Sequence, residues 1–190
     1  MLKIAVFVSG GGTDLQSVID AVKNNSINGE IAIVISNRKN AYGLERARQA
    51  GIETAVVRKD DELIVKMLKE RNVGLVVLAG YLAILTDVLI DAYPNKIINI
   101  HPSLIPSFCG PGHYGMHVHE KVLAQGVKVT GATVHFVSSE VDGGPIIFQE
   151  ACNIDDLDNA EDIQARVLEI EHRILPKAVA LFCDGKIIVE

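Results

Sequence analysis

Leu2-Lys3-Ile4-Ala5-Val6-Phe7-Val8-Ser9-Gly10-Gly11-Gly12-Thr13-Asp14-Leu15 begins as an apolar run, passes through three glycines and changes period. The run is too short for a helix and almost wholly apolar, as a strand covered on both faces must be. Beyond the glycines, Leu15, Val18, Ile19 and Val22 recur at helical spacing. A strand, a glycine turn and a helix in that order aim free backbone N–H groups and the positive end of the helix dipole at an anion. Thr13 is placed to cap the helix and to offer a hydroxyl. Two readings stay open, a tight capped turn and a phosphate cradle. Gly10-x-Gly12 begins a dinucleotide fingerprint, but Leu15 stands where its third glycine belongs. No Gly-Lys-Ser/Thr follows, so a P-loop is excluded, and a mononucleotide-like phosphate suits the turn best.

The same alternation continues. Residues 30–36 read as a strand, 42–50 as a helix ended by Gly51, 52–57 as a strand, 60–71 as a helix, 74–80 as a buried strand and 86–93 as a helix stopped by Pro94. Strands and helices alternating at this spacing predict an α/β fold with a doubly wound, mostly parallel sheet and right-handed crossovers. Ligands of such sheets sit outside the carboxyl ends of the strands.

The next strand, Ile97-Ile98-Asn99-Ile100-His101, ends at Pro102. Asn99 and His101 are two apart and project together, while Ile98 and Ile100 face the opposite layer. Pro102 cannot extend the ladder and biases His101 toward an extended backbone. An amide donor beside an imidazole suits a reaction in which a carbonyl oxygen becomes negative and a proton moves. The plainer alternative is two satisfied polar groups at a strand end. Residues 107–115 form a glycine-rich loop, followed by a helix carrying His117 and His119. Those two face different directions on a helix, and no His-Glu-x-x-His accompanies His113, so loop packing and capping are expected rather than a metal. Residues 129–137 and 145–152 read as an antiparallel pair, which makes the sheet mixed. Between them, Asp142-Gly143-Gly144-Pro145 by itself reads as a turn. Residues 159–183 read as a long amphipathic helix, expected to break near Pro176, and 186–189 as a last strand.

The totals fit one compact domain: 190 residues, 48% hydrophobic, with no repeat or linker. No apolar run reaches membrane-span length, and Met1-Leu2-Lys3-Ile4 lacks a cleavable leader, so a cytoplasmic protein with no membrane partner is expected. Cys109, Cys152 and Cys183 are odd in number and far apart, which predicts free thiols. With a net charge of −6 and no Lys/Arg cluster, no nucleic-acid partner is expected. An anionic ligand would then be held by backbone N–H groups and a few placed side chains.

Six motifs, in order, cover nearly the whole chain: Ser9-Gly10-Gly11-Gly12-Thr13-Asp14-Leu15-Gln16, Gly43-Leu44-Glu45-Arg46-Ala47, Leu78-Ala79-Gly80-Tyr81-Leu82, Asn99-Ile100-His101-Pro102-Ser103-Leu104, Gly131-Ala132-Thr133-Val134-His135-Phe136-Val137 and Asp142-Gly143-Gly144-Pro145. In these the chain resembles the folate-dependent formyltransferase family, and within it the phosphoribosylglycinamide formyltransferases of purine synthesis. The resemblance implies a Rossmann-like single domain over residues 1–190, with a phosphate-binding N-terminal half and a folate-binding, catalytic C-terminal half. It implies 10-formyltetrahydrofolate as co-substrate, glycinamide ribonucleotide as acceptor, no metal, and a monomer or homodimer. Carried over by position, Asn99, His101 and Asp142 would be the catalytic trio, with Asp142 keeping His101 charged near neutral pH. Gly12, Thr13 and Asp14 would hold the ribonucleotide phosphate and Glu171 its ribose. Leu82, Ala83, Ile84, Leu85, Val141, Asn99 and Arg58 would face the folate. Ala83 stands where the family often has Arg, and the 110–115 region is longer than in some members. A methionyl-tRNA formyltransferase core, a formyltetrahydrofolate deformylase and a non-catalytic phosphate sensor are the rival readings. The first two usually carry a further domain.

Overall fold

The computed structural model describes residues 1–187. Seven strands form one sheet in the order β3-β2-β1-β4-β5-β6-β7. β1 (Leu2–Val8), β2 (Gly29–Ser36), β3 (Thr54–Val56), β4 (Val73–Leu78) and β5 (Ile97–His101) are parallel to one another. β6 (Val129–Phe136) runs antiparallel to β5, and β7 (Ile146–Asn153) antiparallel to β6. The expected mixed, doubly wound sheet is thus observed.

The covered strands explain the apolar run that opens the chain. Ile4, Val6 and Val8 pack on one face with α1 (Thr13–Lys23), α2 (Tyr42–Gln49), α5 (Met116–Gln125) and α6 (Ala160–Cys183). Ala5 and Phe7 pack on the other with α3 (Asp61–Glu70) and α4 (Asp87–Ala92). Alternate side chains of one strand therefore enter different cores, and neither face tolerates a charge.

Three local expectations change. Thr13 does not cap α1; Gly12 holds the N-cap position, with no side-chain cap bond. The strand expected at 52–57 shrinks to the three residues Thr54–Val56, an edge strand paired on one side only. The break expected near Pro176 does not occur, and α6 runs unbroken through it. Pro176 removes one N–H from the helix ladder. The buried stripe of Ile163, Val167, Ile170, Ile174 and Ala178 continues past it, so packing on the sheet holds the helix together. Of the last expected strand, Lys186 and Ile187 are irregular, and residues 188–190 lie outside the described residues. Among the described residues no helix is long and apolar enough to cross a membrane.

Strand order reverses between β1 and β4, which places a crevice at their carboxyl ends. The turns after β1, β4 and β5 all open into it.

Candidate active site

A cavity of about 670 Å³ lies at that switch point. One end is built on the glycine turn. Gly12 has φ 70, and a Cβ there would lie 2.6 Å from the Gly43 Cα, so only glycine fits. The Gly43 N–H donates to the Gly10 carbonyl at 3.0 Å, and Arg46 Nε donates to the Gly11 carbonyl at 2.8 Å. These bonds fix the turn from behind. In front, the N–H groups of Thr13 and Asp14 have no helical acceptor, being in the first turn of α1.

Asp14 and Glu171 close this end of the cavity, from α1 and α6. Both are buried. Asp14 Oδ1 has no hydrogen-bond partner; His172 Nε2, also without one, lies 3.7 Å away. Burial pushes the Asp14 carboxyl up to about 6. Burial, and then the charge of Asp14, hold the Glu171 carboxyl well above the usual carboxylate range.

Ser9 joins three turns. Its hydroxyl donates to Asn37 Oδ1 at 2.6 Å and accepts the Leu82 N–H at 2.8 Å, while its own N–H donates to the Gly80 carbonyl at 3.0 Å. The Leu82–Leu85 segment is thereby tied beside the glycine turn. Its side chains, with Val141 opposite, give the cavity an apolar wall, on which Ile84 is 77% exposed.

Beyond that wall lie Asn99, His101 and Asp142. Asn99 and His101 leave β5 on the same side, as the two-residue period requires, and Ile98 and Ile100 enter the opposite core. Asp142 comes from the β6–β7 loop with φ 57, and Gly144 lets that loop close. A Cβ on Gly144 would fall 1.8 Å from the Phe136 carbonyl oxygen. The Asp142 carboxylate lies 3.7 Å from His101 Nδ1 and 3.7 Å from His135 Nε2, and it accepts the Gly110 N–H at 2.8 Å. The long loop after β5 therefore helps to hold the aspartate. Burial raises the Asp142 carboxyl, but His135, His101 and the Gly110 N–H together outweigh it and hold it below its ordinary value.

Hydrogen-bond partners fix both imidazoles. His101 Nε2 is 2.9 Å from the Phe108 carbonyl, and a carbonyl only accepts, so Nε2 carries the proton and Nδ1 faces Asp142. His135 Nδ1 likewise donates to the Phe136 carbonyl at 2.8 Å, so Nε2 accepts from Asn99 Nδ2 at 3.1 Å. One amide hydrogen of Asn99 is thus anchored, and the second is left for another acceptor. Burial lowers the His101 pKa from its ordinary value; Asp142 and the Phe108 carbonyl pull it up without overcoming burial. This corrects the expectation that Asp142 keeps His101 charged: in the free site the imidazole is the neutral, proton-accepting form near pH 7.

Most positions singled out in the sequence meet in this one cavity: Gly12, Thr13, Asp14, Leu82, Ala83, Ile84, Leu85, Asn99, His101, Val141, Asp142 and Glu171. Arg58 does not. It is exposed on the loop after β3 and off the cavity wall; Arg38, after β2, is the cation that lines it. The buried His135 and the Ser9 hub were missed. A histidine within a β-branched strand is a visible signal for the first, but the register pairing Asn99 with His135 is not written in either strand alone. His117 is exposed and bonded to Glu120, whereas His119 is buried. Among the described residues no group of three or more His, Cys, Asp or Glu could hold a metal.

A strand-end amide and imidazole, with a carboxylate reaching in from the next hairpin, define a class of group-transfer site. The formyl transferase family profile matches residues 2–179, and the chain belongs to that family. Within it, the chain is 42% identical over 195 residues to the phosphoribosylglycinamide formyltransferase of Haemophilus influenzae, covering 98% of this chain and 90% of that protein. It is 41% identical over 194 residues to the trifunctional purine biosynthetic protein adenosine-3 of Gallus gallus, of which it spans only 19%. The crystal structure of glycinamide ribonucleotide transformylase 1 from Symbiobacterium toebii superposes with a TM-score of 0.94 at 42% identity, over 100% of this chain and 91% of that one.

Proposed function

We propose that the chain transfers the formyl group of 10-formyltetrahydrofolate to the amine of 5-phosphoribosylglycinamide, in purine synthesis. The observation that carries the reading is the meeting of Asn99, His101 and Asp142 beside a glycine-turn anion site in one cavity. The full-length relatives named phosphoribosylglycinamide formyltransferase support the choice of substrates.

In this reading the phosphate sits on the first-turn N–H groups at Gly12, Thr13 and Asp14, and Glu171 meets the ribose. The folate lies along Leu82–Leu85 and Val141. The amine attacks the formyl carbon, and the new C–N bond forms as charge gathers on the formyl oxygen. The free Asn99 N–H donates to that oxygen; one such donor typically contributes about 2.7–4 kcal/mol. The neutral His101 accepts the amine's proton at Nδ1, and Asp142 stabilises the resulting imidazolium. The C–N10 bond then breaks, and the proton passes to the departing N10. Formation of the cation during the reaction uses the aspartate where it matters, since Asp142 interacts more strongly with imidazolium than with imidazole.

The test is a formyl-transfer assay with glycinamide ribonucleotide and 10-formyltetrahydrofolate. Formylglycinamide ribonucleotide formed in step with tetrahydrofolate supports the reading. Release of free formate with no dependence on the ribonucleotide would make the chain a hydrolase instead.

A further inference from the structure

The motif Gly43-Leu44-Glu45-Arg46-Ala47 opens α2 and lies behind the glycine turn, off the cavity wall. Leu44 and Ala47 are buried and seat the helix on the core. Gly43 and Arg46 are left for the turn. A Cβ on Gly12 would strike the Gly43 Cα, and a Cβ on Gly43 would meet Val8 Cγ2 at 3.0 Å, so backbone lies against backbone here. The Gly43 N–H holds the Gly10 carbonyl at 3.0 Å, and Arg46 Nε holds the Gly11 carbonyl at 2.8 Å. A trans peptide points its N–H away from its C=O. With both carbonyls drawn toward α2, the N–H groups of Gly11 and Gly12 turn the other way, toward the cavity that these glycines line. Neither donates to a protein acceptor among the described residues. Arg46 is itself held in place. Its Nη1 donates to Gln16 Oε1 at 3.3 Å, and its guanidinium carbon lies 5.1 Å from the centre of the Tyr42 ring. Its partners are thus a carbonyl, an amide and a ring, and among the described residues no carboxylate forms an ion pair with it.

We propose that Arg46 is a positioning residue for the phosphate of the acceptor, acting through the Gly11–Gly12 peptide without touching the substrate. The proposal rests on the ribonucleotide reading above. A cation on a carbonyl oxygen draws electron density along the peptide, and the N–H at the other end becomes a stronger donor. The same bond fixes that N–H in its direction before the anion arrives, so little freedom is lost on binding. The turn then meets the phosphate with oriented, polarised backbone donors in place of a mobile cationic head. Arg38 is the one lysine or arginine on the cavity wall among the described residues. The positive charge of Arg46 reaches the anion from behind, through a peptide unit.

A cycle of two proteins and two acceptors tests this. Wild type and Arg46→Met are assayed with glycinamide ribonucleotide and with glycinamide ribonucleoside, the same acceptor without its phosphate. With the ribonucleotide, KM should rise about tenfold in Arg46→Met, while kcat and the KM for 10-formyltetrahydrofolate hold. With the ribonucleoside, the two proteins should share one kcat/KM. Arg46→Lys, which keeps a charged donor, should recover most of the ribonucleotide KM. Arg46→Gln, which keeps a donor and loses the charge, should show an intermediate rise and replaces Arg46→Met if that variant folds poorly. In the ligand-free protein, the NMR signals of the Gly11 carbonyl carbon and the Gly12 amide nitrogen should both move upfield in Arg46→Met, as the carbonyl loses its donor. An unchanged ribonucleotide KM, an equal loss with both acceptors, or unmoved Gly11 and Gly12 signals would each overturn the proposal. A wild type that uses ribonucleotide and ribonucleoside equally well would overturn the ribonucleotide reading, and the proposal with it, whatever the variants do.

Discussion

Asn99 carries two amide hydrogens and uses one of them on His135. Replacing Asn99 by alanine removes the proposed donor for the formyl oxygen and leaves His135 Nε2 without its amide partner. We expect kcat to fall by about 10²–10³ with KM nearly unchanged, read from steady-state kinetics. His135→Leu should lower kcat by about tenfold or more, because the amide is no longer held in orientation and Asp142 loses a neighbour. His101 depends on its proton in the opposite sense to the first expectation from sequence. Since burial lowers its pKa, the acid limb of kcat should lie below pH 6.5. The identities of Asn99, His101 and Asp142 were legible in the residues and their motifs. The charge state of His101 was not, because burial is a property of everything packed around the ring.

At the level of elements, the turns matter more than the strands that deliver them. Ser9 follows β1, and its hydroxyl ties the turn after β2 to the one after β4. Ser9→Ala would leave the Leu82 N–H and Asn37 Oδ1 without these bonds. We expect a stability loss of about 1–3 kcal/mol by denaturant titration. KM should rise more for the folate than for the ribonucleotide, because the freed segment is the wall proposed to hold the folate. Strands, helices and their order were readable from apolar period and from Gly and Pro punctuation. The two misreadings of elements, the length of β3 and the continuity of α6, have one cause. An edge strand with one partner stops early, and a helix with a long buried stripe survives a proline, and neither depends on local sequence alone.

The whole molecule is a three-layer sandwich with an open seam at the carboxyl ends of the strands, which gathers chemistry from residues 9 to 171. Such a seam stores electrostatic cost, and Asp14 is the clearest case. Its folded pKa is raised, so its contribution to stability is fully present below the unfolded value of 3.8 and is lost as pH rises through about 6. Asp14→Asn should therefore stabilise the fold at pH 8 by about 1–3 kcal/mol, with the gain vanishing near pH 4, as thermal melts at the two pH values would read. The meeting of distant segments was foreseen from the parallel sheet and from the family resemblance. Distances, register and the absence of Arg58 from the wall required coordinates. The central claim is that Asp142, brought by a hairpin to 3.7 Å from His101, stabilises a cation formed during formyl transfer. Single-turnover transfer by Asp142→Asn, measured from pH 5 to 9 with both substrates saturating, tests it most directly. The rate should drop by about 10²–10⁴, with the acid limb displaced to lower pH because the one carboxylate pulling His101 upward is gone. A variant that turns over at the wild-type rate with the wild-type pH profile would contradict it.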